Sequence, residues 1–223
     1  MKQSTGITVT LKAATTVDGK IATGSGHSKW ITGEAARQQA HQLRHENDAI
    51  LVGINTVLTD DPELTVRGIE EGRSPVRIIL DSKARIPEKS RVFQNDGVPV
   101  IIITGNQAPS RNWPELAELK IIHAPAETPD ILWVLSELKK LGLKSLLVEG
   151  GSLIHASFLK SNCVDQLALF LAPKIIGGQD ALSWCGDLNV DNVNDACQLD
   201  ISSITPLGED WFISAKLKYV VSS

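Results

Sequence analysis

Between Asn47 and Arg67 the chain passes from an unbroken apolar run, Ala49-Ile50-Leu51-Val52-Gly53-Ile54, into a polar stretch that ends on an arginine. A run this short and this rich in aliphatic residues reads as a strand buried on both faces, as strands are in parallel sheets with helices on each side. The loop expected after it, with Asn55, Thr56, Thr59, Asp60 and Asp61, puts hydroxyls and carboxylates at the strand's C-terminal end, where open α/β sheets bind ligands. Turn chemistry alone reads Asp60-Asp61-Pro62 as a capped turn. Arg67 favours the ligand reading.

The rest of the chain repeats the pattern, with short apolar runs near 7–14, 48–54, 76–81, 98–103, 119–123, 145–149, 165–172 and 211–219 alternating with amphipathic helices. One helix starts at Thr32 as N-cap, with Glu34 in its first turn, and runs to about His45. Another follows Thr128-Pro129, cap then proline, with Ile131, Leu135, Leu138 and Leu141 on one face until Gly142 stops it. A third follows Gly150-Gly151. No helix separates the last two strands, so they pair antiparallel. The expected fold is α/β: a single-domain, mixed, mostly parallel sheet with helices on both faces and an antiparallel C-terminal strand.

Length and charge narrow the functions. The 223 residues, 42% hydrophobic, suffice for one packed domain over 1–223, and no linker, repeat or low-complexity segment divides them. A net charge of −4, from 22 basic and 26 acidic residues spread along the chain, gives no nucleic-acid or anionic-lipid surface. Cys163, Cys185 and Cys197 are odd in number and lack Cys-x-x-Cys spacing, which argues against a disulfide framework or a zinc site and fits a reducing cytoplasm. Residues 1–5 are polar and no apolar run reaches membrane-spanning length, so neither a secretory signal nor a transmembrane helix is expected.

Thr56 through Arg67 resembles the Thr-Val-Leu-x-Asp-Asp-Pro-x-Leu-Thr-x-Arg signature of the pyrimidine reductases of riboflavin biosynthesis. Leu11-Lys12-Ala13-Ala14 with Val17-Asp18-Gly19-Lys20-Ile21-Ala22 is similar to that family's first strand and turn, and Ser28-Lys29-Trp30-Ile31-Thr32 to its Ser-x-Trp-Ile-Thr segment. Val148-Glu149-Gly150-Gly151 is similar to its later glycine turn, and Leu171-Ala172-Pro173-Lys174-Ile175-Ile176-Gly177-Gly178 to the strand end beyond it. The stretches from Val92 to Glu127 and from Gln179 to Gly208 carry no such mark. The resemblance implies a dihydrofolate-reductase-like fold, NADPH as cofactor and a phosphorylated pyrimidine as substrate. The zinc deaminase signature, His-x-Glu with Pro-Cys-x-x-Cys, is missing, so the chain is similar to the reductase part alone, with a separate deaminase as a possible partner. A homodimer is implied as well.

On the residues themselves, Lys12 sits in a strand of small and apolar neighbours and reads either as a ligand contact or as a lysine snorkelling to water. The Gly/Ser-rich loop Thr23–Ser28 reads as a segment that closes over a ligand, and Trp30 as a broad apolar wall or a loop anchor. Arg44 and Arg67 make a natural phosphate clamp, whereas Arg37 reads as surface. Asp60 either positions a nicotinamide carboxamide, the preferred role, or supplies a proton. The Gly150-Gly151 turn into a helix N-terminus reads as a phosphate cradle, and His155 as a helix-face histidine without an evident partner. Lys83 and Arg85 stand near Ser82 as candidates for a 2′-phosphate.

By resemblance, Lys12 and Asp60 are the catalytic pair, and Ser28, Arg44, Leu64, Arg67 and Glu149 hold substrate. The cofactor falls to Ala14, Trp30, Thr56, Asp60, Ser82, Gly151, Ser152, Leu153, Ile154, His155, Ala156 and Ser157; no metal is expected. The implied reaction is NADPH-dependent reduction of the ribosyl C1′ of 5-amino-6-(5-phosphoribosylamino)uracil. Alternatives are the archaeal and fungal reaction on the 2,5-diamino pyrimidine, another NADPH reductase of the same fold, and a nucleotide-binding paralogue without turnover. Trp30 after Ser28-Lys29 favours the bacterial type.

Overall fold

The structure, a computed structural model, describes residues 2–219. In chain order run β1 (Thr8–Thr16), α1 (Glu34–Glu46), β2 (Ala49–Gly53), α2 (Ile54–Asp60), β3 (Val76–Leu80), β4 (Val100–Thr104), β5 (Leu119–His123), α3 (Ile131–Lys140), β6 (Ser145–Gly150), α4 (Ser152–Lys160), β7 (Gln166–Ala172), β8 (Gln198–Leu207) and β9 (Asp210–Lys218). The nine strands form a mixed, mostly parallel sheet. The chain resolves into two compact units, one holding Thr8–Ala40 and the residues from Val148 onward, the other Thr5–Ile7 and His41–Leu147.

In the second unit β2, β3, β4 and β5 lie side by side and parallel. Register aligns Ile50, Arg77 and Val100, then Val52, Ile79 and Ile102 two residues on. Alternate residues of a strand share a face, so these side chains form one wall. Leu64, Ile86, Val92 and Phe93 pack on it, each full burial being worth about 1.5–3 kcal/mol. Arg77 sits fully buried in that wall and donates to Val92 O at 3.3 Å and to both carboxylate oxygens of Asp96. Burial works to raise the Asp96 carboxyl, but the Arg77 hydrogen bond, the Val98 N–H and the guanidinium charge outweigh it and hold the group below the usual carboxylate range. An unpaired charge there would cost several kcal/mol, on the order of 3–5, which is why the strand tolerates an arginine only with its partner.

In the first unit β1 runs parallel to β7, β7 antiparallel to β9, and β9 antiparallel to β8. The expected antiparallel end is therefore present, but with a strand the sequence does not announce. β8 falls in the unmarked stretch, a bulge between Ile201 and Ser203 breaks its alternation, and almost every residue is exposed. Without a buried face there is no period-two pattern to read.

Three local expectations change. The polar stretch after β2 is not a loop: Ile54–Asp60 is helix α2, with Ile54 and Val57 buried and Asp61 closing it in the left-handed region at φ 40°. Polar residues outnumber apolar ones there because only one side of a short helix meets the core. Helix α1 begins at Glu34 rather than beside Thr32, and the Gly33 N–H before it donates to Asp210 Oδ2 at 2.6 Å. The cap of α3 is Asp130, whose carboxylate accepts from Trp133 N, not Thr128. Gly142, at φ 83°, lies just past that helix as expected.

Candidate active site

In the first unit, the period-two alternation of β1 sets Lys12 and Ala14 on one face, both half-buried, between buried Leu11, Ala13 and Thr15. The Lys12 side chain is 17% exposed, its Nζ 3.9 Å from Glu149 Oε2 on β6 and 5.7 Å from the Phe170 ring centroid. A half-buried ammonium beside a half-buried carboxylate is a pair that can donate and accept at one point while staying neutral overall. Lys12 is thus no strand-end lysine reaching for water.

The loop before α1 carries Ser28, half-buried, and Trp30, a residue 67% exposed. Trp30 is not a core anchor. The Arg37 guanidinium, one turn into α1, lies 4.6 Å from its ring centroid, and Arg37 Nη1 donates to Thr32 O at 2.9 Å. Reading Arg37 as plain surface therefore missed a cation–π partner. A cavity of about 490 Å³ in this unit is lined in part by Trp30, Thr32, Arg37, Pro173, Lys174 and Asp210.

At the glycine turn, Gly150 holds φ +102°, where only glycine is comfortable, and a Cβ on it would come within 3.0 Å of the His155 ring. Gly151 is the N-cap residue of α4. Leu153 is exposed, Ser152, Ile154 and Ser157 are half-exposed, and Ala156 is buried. His155 corrects the expectation of a helix-face histidine: it is 2% exposed, with Nδ1 2.8 Å from Trp184 O, Nε2 3.3 Å from Val148 O, and its ring tilted against Trp184. Burial pushes its pKa below the usual 6.5, against the pull of those carbonyls. A cofactor contact at His155 could come only from its backbone. Ala156 is limited likewise.

In the second unit, α2 places Thr56 and Asp60 four residues apart on one side of a helix, Thr56 half-buried and Asp60 exposed. Leu64, at φ 56° and 2% exposed, is packed in the core cluster. Arg44, in the last turn of α1, donates from Nη1 to Thr65 O at 2.9 Å, and the Arg67 N–H donates to His41 Nδ1 at 3.2 Å. Both arginines thus border the backbone of Thr65–Arg67. Arg67, its side chain 62% exposed, pairs through Nη1 with Glu63 at 2.9 Å. Arg91, also bonded to Glu63, holds that carboxyl below its usual range, with burial opposing and the charges of Arg91 and Arg67 assisting. Ser82 follows β3 half-buried, Lys83 and Arg85 after it are exposed, and Arg85 Nη2 donates to Asn55 Oδ1 at 2.9 Å. Among the described residues, no group of three or more His, Cys, Asp or Glu side chains is placed to hold a metal ion.

A mostly parallel sheet ending antiparallel makes this an α/β protein, and its fold is dihydrofolate-reductase-like. A dihydrofolate reductase from Enterococcus faecalis shares that fold at a TM-score of 0.54 and 10% identity, over 96% of this chain and 97% of its own. The chain belongs to the RibD C-terminal domain family, whose model matches residues 7–213. It is 40% identical over 94% of its length to a protein of Methanothermobacter thermautotrophicus named 2,5-diamino-6-ribosylamino-4(3H)-pyrimidinone 5′-phosphate reductase, of which it covers 98%. It matches the crystal structure of a Thermotoga maritima diaminohydroxyphosphoribosylaminopyrimidine deaminase/5-amino-6-(5-phosphoribosylamino)uracil reductase at a TM-score of 0.79 and 31% identity, over 94% of this chain and 56% of that one. The chain likewise spans just over half the length of the bacterial RibD proteins that it matches.

Proposed function

We propose that this protein is an NADPH-dependent reductase of riboflavin biosynthesis that reduces the ribosyl C1′ of 5-amino-6-(5-phosphoribosylamino)uracil. Its relatives are named as phosphorylated-pyrimidine reductases and as riboflavin biosynthesis proteins, and the observation in the molecule that carries the reading is the half-buried Lys12–Glu149 pair. The sugar reacts as its open-chain imine, C1′ gaining a hydride and the adjoining nitrogen a proton from solvent or a protein donor. NADPH supplies that hydride when bound. The chain's own residues bind, orient and exclude water. Arg44, Arg67 and Ser28 take the substrate's phosphate and sugar, and Lys12 and Glu149 its remaining polar edges. Trp30, Thr56, Ser82 and the Gly151–Ser157 segment take the cofactor, with Asp60 orienting the carboxamide. We read the chain as one reductase domain, working as a homodimer in the cytoplasm.

A second reading, reduction of the 2,5-diamino pyrimidine before deamination, is favoured by the match across nearly all of the archaeal reductase. The Ser28-Lys29-Trp30 segment supports the first. Both are decided by following NADPH oxidation with each pyrimidine in turn. Faster turnover of the uracil supports the first reading, a clear preference for the diamino compound the second, and NADPH binding without oxidation by either would count against both and favour a non-catalytic paralogue or a reductase of another substrate.

A further inference from the structure

Two motifs are left without a role by that reading: Val17–Ala22 after β1, and Leu171–Gly178 at the end of β7. The structure joins them. The Asp18 carboxylate accepts from Thr16 Oγ1 at 2.6 Å, from Gly177 N at 2.7 Å and from Ile176 N at 3.2 Å. The Thr16 hydroxyl and the Gly177 N–H bring its pKa down to about 2, so it stays charged in all ordinary conditions. The same turn pairs Val17 N with Lys174 O at 2.9 Å. Thus held, Lys174 extends its ammonium to two consecutive carbonyls, Trp30 O at 2.9 Å and Ile31 O at 2.8 Å. The next carbonyl, Thr32 O, accepts from Arg37, whose guanidinium also lies on the Trp30 ring.

Three successive backbone carbonyls are therefore gripped by two cations, and the tryptophan they carry is two-thirds exposed. An exposed indole ordinarily minimises its contact with water by folding down. Here one face is occupied by a guanidinium and the backbone beneath is tied, so the ring is presented as a preset flat platform. Platforms of this kind suit a planar heteroaromatic ligand, and presetting them lowers the ordering cost of binding.

We propose that Lys174 and Arg37 are positioning residues that mount Trp30 for the planar ring of the cofactor, with Asp18 holding the turn from which Lys174 reaches. The inference rests on the reading that Trp30 meets NADPH. Neither residue touches substrate or cofactor in this scheme. Their effect is on where the indole stands.

The test compares Lys174→Met, Lys174→Arg, Arg37→Met and Arg37→Lys with Trp30→Ala in the full chain, measuring KM for NADPH separately from kcat, and measuring acrylamide quenching of Trp30 without cofactor as the difference from Trp30→Phe. Losing two charge-assisted hydrogen bonds should raise the NADPH KM about fivefold or more in Lys174→Met, with a smaller fall in kcat, and Lys174→Arg should recover most of it. Arg37→Met should increase quenching of Trp30 and raise the same KM, with Arg37→Lys intermediate. An NADPH KM within about twofold of wild type in both methionine variants, while Trp30→Ala is impaired, would overturn the mount and leave the cofactor role of Trp30 standing. An unimpaired Trp30→Ala would bring down that role and the mount together. Should Lys174→Met fail to fold, Lys174→Gln and the Arg37 pair decide the question.

Discussion

Arg67 and His155 show how far a residue's type can be from its use. Arg67 is mostly exposed and shares Glu63 with Arg91, so its proposed phosphate contact is a charge-assisted bond in water-accessible surroundings, worth less than a buried one. Arg67→Ala should raise KM for the phosphorylated pyrimidine about tenfold while leaving the dephosphorylated compound little affected. Equal losses on both would move the arginine to a structural or cofactor role. His155 is a stability residue with a pH signature. Its folded pKa lies below 6.5, so above that pH neither the folded nor the unfolded state carries the proton and the full contribution is present. As pH falls through 6.5, only the unfolded chain takes the proton, and stability declines until the folded pKa is reached. Thermal unfolding from pH 7 to 5 should show this decline, and His155→Gln should flatten it; an equal slope in the variant would assign the decline to other groups.

At the scale of elements, the glycine turn between β6 and α4 separates backbone demand from ligand demand. Gly150 has a left-handed φ and the His155 ring against its Cα, so Gly150→Ala should destabilise the fold by about 1–3 kcal/mol, read as a drop in midpoint denaturant. Gly151 has an ordinary φ of −77° at the N-cap. Gly151→Val should therefore keep the fold and instead weaken NADPH binding by well over about tenfold, because a side chain there stands where phosphate would approach the helix N-terminus. Unchanged cofactor affinity in folded Gly151→Val would remove α4 from the cofactor site. The loop that became α2 belongs at this scale too: Thr56 and Asp60 share a helix side because Ile54 and Val57 need the core.

For the whole molecule, the family match runs from residue 7 to residue 213, and the long strand β8 is exposed along almost its entire length, with Ile201 and Ile204 each more than half open. Light scattering at micromolar concentration should give about twice the 24.1 kDa chain mass if the proposed homodimer holds. A monomer mass would count against it. Among the described residues, no helix is long and apolar enough to cross a membrane.

The apolar runs at 49–54, 76–81 and 98–103 determined by themselves that the chain builds a parallel sheet, because strands buried on both faces can be written in few other ways. The signature from Thr56 to Arg67, the Lys12 and Glu149 strands and the glycine turn were legible for the same local reason: each is a contiguous pattern. Tertiary structure alone decided the rest. His155 turned inward because Trp184 and Val148 supplied carbonyls from elsewhere in the chain. Arg77 could be buried because Asp96 came within reach, β8 formed on β9 without a pattern of its own, and Trp30 was fixed by Lys174, whose ammonium is 144 residues away in sequence. The common cause is that a polar group's fate depends on which partner the fold brings to it, and the energy of a buried or tied polar group lies in that pairing rather than in the residue.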